Sequence, residues 1–166
     1  IIVHLRNNLM SRRNIVDFLI ILIIFSLDRV SKIIIIDLNK INKLTSYSLT
    51  PFLNLDLVWN QGIAFGLFSF NENIYYNVLT SIIIIVTLFV FVLMLKSNRY
   101  QKYGFLMVFG GSLGNIFDRL YYSSVPDFID LHINNFHWFI FNVADIFITL
   151  GVILLILTEF FKLKND

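Results

Sequence analysis

The sequence predicts an all-α membrane protein with four transmembrane helices and a small extracytoplasmic β-sheet cradle. Of its 166 residues, 57% are hydrophobic and only 14% are charged, and the mean hydropathy is +0.76. Soluble domains are much less apolar, with about 25% of their residues charged. Because the length is that of one domain, we expect residues 1–166 to form a single integral membrane unit.

Four apolar segments are long enough to cross the hydrocarbon core, which takes about 20 residues of α-helix. They cover roughly residues 15–36, 74–95, 103–120 and 141–161. The second contains no charged residue and is expected to be a plain lipid-facing scaffold. The first contains Asp28 and Lys32 and lacks a following cleavage site, so we expect a retained helix rather than a signal peptide.

The distribution of basic residues predicts the orientation of these helices. Eight basic residues flank the helix ends that share one side: Arg6, Arg12, Arg13, Lys96, Arg99, Lys102, Lys162 and Lys164. The other side has Lys40 and Lys43 in its first loop and no basic residue between positions 121 and 140. Basic residues accumulate in cytoplasmic loops, so both termini are expected in the cytoplasm.

An outer segment of roughly residues 40–70 is longer than a plain connection and is expected to form a β-cradle on the membrane surface. Residues 52–60, FLNLDLVWN, alternate apolar and polar side chains with the period of two that is typical of a half-buried strand. Residues 62–70, GIAFGLFSF, continue the segment with glycines and aromatic residues. The composition therefore favours a small surface sheet.

Ionisable residues inside the apolar segments are candidates for function, because a charge at the bilayer centre costs about 2.5–3.5 kcal/mol on insertion scales. Asp28 and Lys32 are four residues apart and can pair on one helical face. Either they only neutralise each other, or they line a polar cleft. In the third segment, Gly110 and Gly114 have the spacing with which two helices approach closely.

A polar face follows these glycines near the outer end of the third segment. It consists of Asn115, Asp118 and Arg119. We expect Asp118 to form a structural ion pair with Arg119, whose charge would keep the carboxylate ionised. Asp118 is therefore a poor candidate for a carboxyl group that shares a proton.

Two further carboxylates, Asp127 and Asp145, reach the same outer boundary by topology although 18 positions separate them. Asp127 follows Pro126 in an expected loop, and Asp145 lies one turn into the fourth helix with Asn142 on the same face. Two carboxylates around one water can share a proton, so that one is a base and the other an acid. This is the chemistry of a metal-free aspartic peptidase. The alternative for Asp145 is a helix cap or a favourable charge at the helix dipole.

Several other kinds of site are excluded or disfavoured. The chain has no cysteine, which excludes disulfides and thiolate sites. The net charge is only +2 and the basic residues are dispersed, which argues against a nucleic-acid partner. His4, His132 and His137 lack the spacing of an HExxH motif, the last two are expected in an interfacial loop, and Asp130 is expected to be solvated. We therefore expect no metal and no other cofactor.

Five motifs occur in order along the chain. Residues 28–32 read DRVSK, 60–66 NQGIAFG, 110–119 GGSLGNIFDR, 125–130 VPDFID and 141–145 FNVAD. They resemble the D-Q-x-x-K, N-x-G-x-A-F-G, G-G-x-x-G-N-x-x-D-R, V-x-D-F-x-D and F-N-x-A-D boxes of the bacterial lipoprotein signal peptidases, or signal peptidase II. Arg29 departs from the first of these boxes, which usually has Gln at this position. The departure puts one local contact in question.

The resemblance implies an aspartic endopeptidase of the bacterial cytoplasmic (inner) membrane, with its active site at the outer face. Its substrates would be diacylglyceryl-modified prolipoproteins, cut just before the lipidated cysteine, and it would act as a monomer among membrane lipids without a cofactor. Asp127 and Asp145 would be the catalytic dyad. Substrate-binding or site-supporting roles would fall to Asp28, Lys32, Asn60, Gly62, Ala64, Asn115, Asp118, Arg119, Asn142 and Ala144.

The residues by themselves leave two other functions open. A small proton-coupled membrane transporter would also place Asp, Lys and Arg within its spans. Such a protein should carry them near the bilayer midplane, whereas here they cluster towards one boundary. A purely structural membrane scaffold would leave the carboxylates without a role.

Overall fold

The computed structural model describes residues 2–42, 46–62, 73–134 and 136–165. Within them the chain forms four helices and four strands. In chain order these are α1 (Ile2–Asn42), β1 (Ser46–Thr50), β2 (Leu53–Asn60), α2 (Asn73–Lys96), α3 (Arg99–Tyr122), β3 (Val125–Ile133), β4 (Phe136–Phe141) and α4 (Val143–Asn165). The protein is therefore mostly helical, as predicted, but its strands make up more of the chain than the term all-α allows.

Two of the described helices are long and apolar enough to cross a membrane. They cover Ile74–Lys96, with a mean hydropathy of 3.1, and Val143–Phe161, with a mean hydropathy of 2.2. Their large apolar side chains are mostly exposed, as expected for a surface that faces lipid. The second and fourth predicted spans are therefore confirmed in length and apolarity. Helices α1 and α3 contain charged residues that lower their hydropathy, and their crossing of the membrane stays a prediction.

The helices extend beyond the apolar runs from which their bounds were predicted. Helix α1 has 41 residues and begins at Ile2 rather than near position 15, while α3 runs from Arg99 to Tyr122. The predicted bounds mark only the hydrocarbon-compatible part of a helix, whereas polar residues at its ends can remain helical in water. Helix α4 begins at Val143 rather than 141, because the preceding residues pair in β4.

The sheet has the strand order β1-β2-β3-β4, with every neighbouring pair antiparallel. Strands β1 and β2 confirm that strands form within the segment 40–70, whereas its position on the membrane surface stays a prediction. Helix α1 continues to Asn42, and residues 63–72 lie outside the described part. Strands β3 and β4 were predicted as a loop, which is wrong. The first half of β3 is buried on both faces, so its sequence lacks the polar alternation that marks a half-exposed strand.

Glycines of α3 allow the close approach to α1 that their spacing predicts. A Cβ atom on Gly110 would lie 3.1 Å from the side chain of Ile24. A Cβ atom on Gly114 would lie 2.5 Å from a carboxylate oxygen of Asp28, which is too close for any side chain. The absence of a side chain at Gly114 therefore leaves room for the Asp28 carboxylate between the helices.

A second set of small residues brings α3 against α4. A Cβ atom on Gly111 would lie 2.6 Å from the carbonyl oxygen of Ala144, and one on Gly151 would lie 2.7 Å from the carbonyl oxygen of Gly104. These contacts involve backbone atoms, which cannot turn aside as a side chain can. Helix α3 therefore packs closely against both α1 and α4.

Polar contacts connect the helix ends that lie away from the sheet. Lys102 forms an ion pair with Asp17, and Nε2 of Gln101 donates a hydrogen bond to Glu159 at 2.9 Å. These contacts join the start of α3 to the first half of α1 and to the last part of α4. The start of α3, where Lys102 lies, is thus held against both of these helices.

We expect Gly151→Ala to lower the thermal unfolding midpoint of the protein in detergent. The new methyl group would meet the backbone of α3, and overpacking of a close interface costs about 1–3 kcal/mol. Val152→Ala is the matched control, because the Val152 side chain is 43% exposed and its loss should change the midpoint little. Equal midpoints for the two variants would contradict the close packing of α3 and α4.

Candidate active site

Asp127 and Asp145 lie where the sheet meets the helices, and the side chain of Asn142 contacts both residues. Nδ2 of Asn142 donates a hydrogen bond to Oδ1 of Asp127 at 2.6 Å. Oδ1 of the same amide accepts a hydrogen bond from the backbone N–H of Asp145 at 3.1 Å. A single side chain therefore links the two residues that the sequence placed at one boundary.

The contacts between Asn142 and Asp145 form the start of α4. While Oδ1 of Asn142 accepts from the N–H of Asp145, Oδ2 of Asp145 accepts from the N–H of Asn142 at 3.1 Å. This reciprocal arrangement is a capping box, which satisfies two backbone donors at a helix start. Asp145 is thus a capping residue, as the structural alternative predicted. Its other oxygen, Oδ1, accepts a hydrogen bond from Nδ2 of Asn115 at 2.8 Å.

Asp127 is a buried carboxyl group on β3 that is held by two amides. Nδ2 of Asn60 donates to its Oδ2 at 2.9 Å, and Asn142 donates to its Oδ1. Burial and the nearby charge of Asp145 raise the pKa of Asp127 to about 6, although the two amide hydrogen bonds favour the ionised form. This carboxyl group can therefore gain or lose a proton close to neutral pH.

The end of β2 positions Asn60 towards Asp127. Strand pairing places Asn60 opposite Val125, at the start of β3. Oδ1 of Asn60 accepts a hydrogen bond from the backbone N–H of Gly62 at 2.8 Å, which leaves its Nδ2 to donate to Asp127. Gly62 therefore supports the site through its backbone. Ala64, in the same motif, lies outside the described residues.

Arg119 holds the backbone that follows β2. Its guanidinium donates a hydrogen bond to the carbonyl oxygen of Gly62 and lies 5.7 Å from the centre of the Tyr76 ring. The Tyr76 hydroxyl donates to the carbonyl oxygen of Arg119 at 3.3 Å, and Tyr76 is only 8% exposed. Helix α2 was predicted to be a plain scaffold facing lipid, which is wrong at this end, because Tyr76 supports the site.

Four charged side chains form a cluster between α1 and α3, next to the two carboxylates. Nζ of Lys32 lies 2.9 Å from the Asp28 carboxylate and 2.6 Å from that of Asp118. Arg29 donates to both oxygens of Asp118, at 2.5 and 2.7 Å, and to Asp28 at 2.8 Å. Asp28, Lys32 and Asp118 are completely buried. Two cations thus balance two carboxylates in this cluster.

The predicted ion pair between Asp118 and Arg119 is wrong. Neighbouring residues on an α-helix do not face each other, so Arg119 is directed away from the Asp118 carboxylate. The partner of Asp118 is instead Arg29, whose guanidinium also lies 4.9 Å from the centre of the Phe117 ring. The one signal for this contact in the sequence was the departure of Arg29 from the expected Gln.

The charged cluster is connected to the start of α4 by two contacts. Nζ of Lys32 donates to Oδ1 of Asn115 at 2.9 Å, and Asn115 in turn donates to Asp145. Oδ1 of Asp28 accepts a hydrogen bond at 3.0 Å from the backbone N–H of Ala144. Ala144 is completely buried. The cluster therefore supports Asp145 both through a side chain and through the backbone before it.

Three residues of the β3–β4 hairpin form a group that the sequence did not predict. Asp130 was expected to be solvated but is completely buried, with Oδ2 at 2.7 Å from Nδ1 of His137. His132 and His137 lie opposite each other on the paired strands rather than in a loop. Ligand atoms of these three residues lie within 4.8 Å of one another. The expectation of no metal site considered only the spacing along the chain, which does not show this proximity.

An open cavity of about 670 Å³ lies beside Asp145. Its walls are almost entirely apolar and come from Phe52 before β2, from the end of β3, from β4 and from the first turns of α4. They include Phe52, Trp138, Phe141, Ile146 and Leu150. A large apolar cavity with a few polar groups at its edge is typical of a binding site for an apolar ligand.

Residues 20–161 match the model of the signal peptidase (SPase) II family. The chain belongs to the signal peptidase II family. It is 49% identical over 145 residues to the lipoprotein signal peptidase of Pelagibacter ubique (strain HTCC1062), covering 87% of each chain. It is 36% identical over 154 residues to that of Anaplasma phagocytophilum (strain HZ), covering 91% of this chain and 96% of the relative.

A solved structure has a similar fold. It is a bacterial membrane enzyme determined in meso at 2.3 Å, 28% identical to this chain, with a TM-score of 0.73 and 91% of each chain covered. The family resemblance predicted from the five motifs is thereby confirmed. Membership of signal peptidase II makes this protein a peptidase, so the transporter and the structural scaffold are set aside.

We expect Lys32→Met to destabilise this signal peptidase II by about 3–5 kcal/mol, because removal of one partner from a buried ion cluster leaves an uncompensated charge. The free energy of unfolding, measured by denaturant titration in mixed micelles, checks this. Lys40→Met is the matched control: the Lys40 side chain is 71% exposed and pairs only loosely with Asp37 at 3.6 Å. A loss of stability no larger than that of the control would contradict the structural role of the cluster.

Proposed function

We propose that this signal peptidase II is an aspartic endopeptidase that removes signal peptides from diacylglyceryl-modified prolipoproteins by cutting just before the lipidated cysteine. The observation that carries the proposal is the pair of carboxylates joined through Asn142, one of which, Asp127, has a pKa of about 6. The names of the relatives, lipoprotein signal peptidases, support the substrate class.

The two carboxyl groups act on one water molecule as a unit, with one proton between them. The ionised group takes a proton from the water, whose oxygen attacks the carbonyl carbon of the scissile peptide bond. The protonated group gives its proton to the carbonyl oxygen, which yields a neutral tetrahedral diol. When the diol collapses, the C–N bond breaks and the nitrogen of the lipidated cysteine takes the proton that the first group gained from the water. The second group takes a proton from a diol hydroxyl, which leaves the product carboxyl group and returns the dyad to its starting state.

Amide groups rather than cations hold the two proposed catalytic carboxylates. Asn60, Asn115 and Asn142 each donate at least one hydrogen bond, at 2.9, 2.8 and 2.6 Å. An amide orients a carboxylate without fixing it in the ionised form as strongly as a paired cation does. We infer that these asparagines position the dyad and leave it able to exchange one proton during each cycle.

The apolar cavity beside Asp145 is proposed to accept the acyl chains of the substrate. It lies at the start of α4, one of the two helices suited to crossing a membrane, so a lipid chain can enter it from the hydrocarbon region. This position supports cleavage at the membrane boundary, where the peptide next to the lipidated cysteine reaches the carboxylates. The cavity would thus select substrates by their lipid as well as by their peptide.

We propose a four-span monomer in the bacterial cytoplasmic (inner) membrane, with both termini in the cytoplasm and the active site at the outer face. The excess of basic residues at the helix ends away from the sheet supports this orientation. Contacts of Lys102 with Asp17 and of Gln101 with Glu159 hold the start of α3 against the first half of α1 and the last part of α4.

Asp127→Asn and Asp145→Asn are each expected to reduce kcat for a lipidated prolipoprotein peptide at least about 10³-fold, because acid–base catalysis contributes about 10²–10⁴-fold. Asparagine keeps the size and a hydrogen-bonding oxygen, so the thermal midpoint should change little. Asp37→Asn, at a carboxylate whose side chain is 57% exposed and pairs with Lys40, is the control and should keep full activity. Near-normal turnover by either variant would rule out the dyad.

Asn60→Ala should shift the alkaline limb of the kcat/KM profile to higher pH. The amide of Asn60 donates to Asp127 and so favours its ionised form, and without it the pKa should rise above the present value of about 6. The dyad needs one proton, so activity should then persist to higher pH. The control is Asn98→Ala, which removes the asparagine that caps the N-terminus of α3. It should leave the pH of the alkaline limb unchanged. A limb that stays fixed or moves to lower pH would contradict this account.

A further inference from the structure

The β3–β4 hairpin carries a group of metal-ligating side chains that takes no part in the proposed peptide cleavage. We propose that Asp130, His132 and His137 bind a divalent transition-metal ion, with Zn²⁺ as the preferred ion. The ligand atoms of the three residues lie within 4.8 Å of one another, so small side-chain movements would bring them to the distances of about 2.0–2.2 Å at which nitrogen and oxygen ligands bind Zn²⁺. The inference rests on the hairpin alone and does not depend on the proposed function.

Strand geometry brings the three side chains to one place. His132 on β3 pairs with His137 on β4, and their rings stack with centroids 5.1 Å apart and planes at 21°. Asp130 lies two residues before His132, so both side chains leave β3 on the same face. From the Asp130–Ile140 pair to the His132–His137 pair, β3 advances by two residues and β4 by three. Such an irregularity changes the direction of the side chains on β4, which contains the extra residue.

Two buried atoms of this group have no hydrogen-bond partner among the described residues. They are Oδ1 of Asp130 and Nδ1 of His132. Asp130 is 0% exposed, and a buried carboxylate oxygen is normally satisfied by a donor or a cation. Nδ1 of His132 lies 3.8 Å from Oδ2 of Asp130, beyond a hydrogen bond. An ion between them would supply the missing partner for both atoms.

The surrounding charges also favour a cation. In the described part of the chain, the ion-pair partners of Asp130 are the two histidines, without a lysine or an arginine. The one other hydrogen bond to its carboxylate comes from Asn54 at 3.5 Å, which is long. By contrast, Asp118 has Arg29 and Lys32 beside it. Among the described residues, Asp130 therefore has no lysine or arginine beside it, and a metal ion would supply a fixed positive charge there.

The donor set indicates which ion would bind. Two imidazole nitrogens and one carboxylate oxygen suit Zn²⁺, which is often held by three protein ligands and one water. Ca²⁺ and Mg²⁺ prefer oxygen ligands throughout and fit this set poorly. The side chain of His137 is 54% exposed, so an ion can enter from solvent, while the buried Asp130 closes the inner side.

A bound ion would join the two strands that lead to the proposed catalytic residues. Asp130 follows Asp127 by three residues on β3, and β4 ends one residue before Asn142. The ion would therefore stabilise the hairpin without touching the reacting atoms. We expect a structural effect on unfolding rather than a role in peptide hydrolysis.

The test uses the full chain in detergent, purified without a histidine tag and treated with chelator. Titration with Co²⁺ should give visible ligand-field absorption that saturates at one ion per chain, and Zn²⁺ should displace it and raise the thermal midpoint. His137→Gln and His132→Ala should each raise the apparent Kd for Co²⁺ at least about tenfold, since even supporting residues of metal sites contribute that much. His137→Gln should keep the fold, because the His137 side chain is 54% exposed. The His132 side chain is 11% exposed, so the thermal midpoint of metal-free His132→Ala is measured to check that this variant is folded.

His4→Ala is the matched control, since it removes the one other histidine of the chain. Its Co²⁺ spectrum and apparent Kd should equal those of the unmodified protein. The proposal is overturned if the unmodified protein gives no saturable Co²⁺ spectrum, or if His137→Gln and His132→Ala bind as tightly as His4→Ala does. Loss of binding in His4→Ala would likewise overturn it, because the ion would then be held elsewhere.

Discussion

The buried cluster of Asp28, Arg29, Lys32 and Asp118 constrains the rest of the site. Each charge taken out of water costs several kcal/mol, so the four groups are tolerated only while they remain in contact. Those contacts require α1 and α3 to keep one relative position, and Gly114 leaves the space in which Asp28 reaches its partners. The register of the two helices is therefore fixed by electrostatics as much as by apolar packing.

The kinds of contact made by the carboxylates separate them into two groups with different chemistry. Asp118 has two cations in direct contact, Arg29 and Lys32, and belongs to a buried ion cluster. Asp127 is held by the amides of Asn60 and Asn142, and its burial beside Asp145 favours the protonated form. Carboxyl groups of one site can thus serve either as members of a structural ion cluster or as groups that exchange a proton.

The local features of the site could be predicted from the sequence, whereas the long-range contacts could not. The pairing of Asp28 with Lys32 follows from helical spacing and is confirmed. The contact of Arg29 with Asp118 joins residues 89 positions apart, for which the sequence gives no geometric rule. Strand β3 was not predicted, because burial on both faces removes the alternation of apolar and polar residues. Without β3, the proximity of Asp130 to His137 could not be predicted either.

The hairpin register explains how two carboxylates 18 positions apart come to share one asparagine. Phe141, the last residue of β4, pairs with Ile129 on β3, and Asn142 follows at the start of α4. A slip of one residue would turn every β4 side chain to the opposite face and move Asn142 away from Asp127. The Asn142–Asp145 capping box then sets the direction in which α4 leaves the sheet. Strand pairing and helix capping together therefore determine the geometry of the dyad.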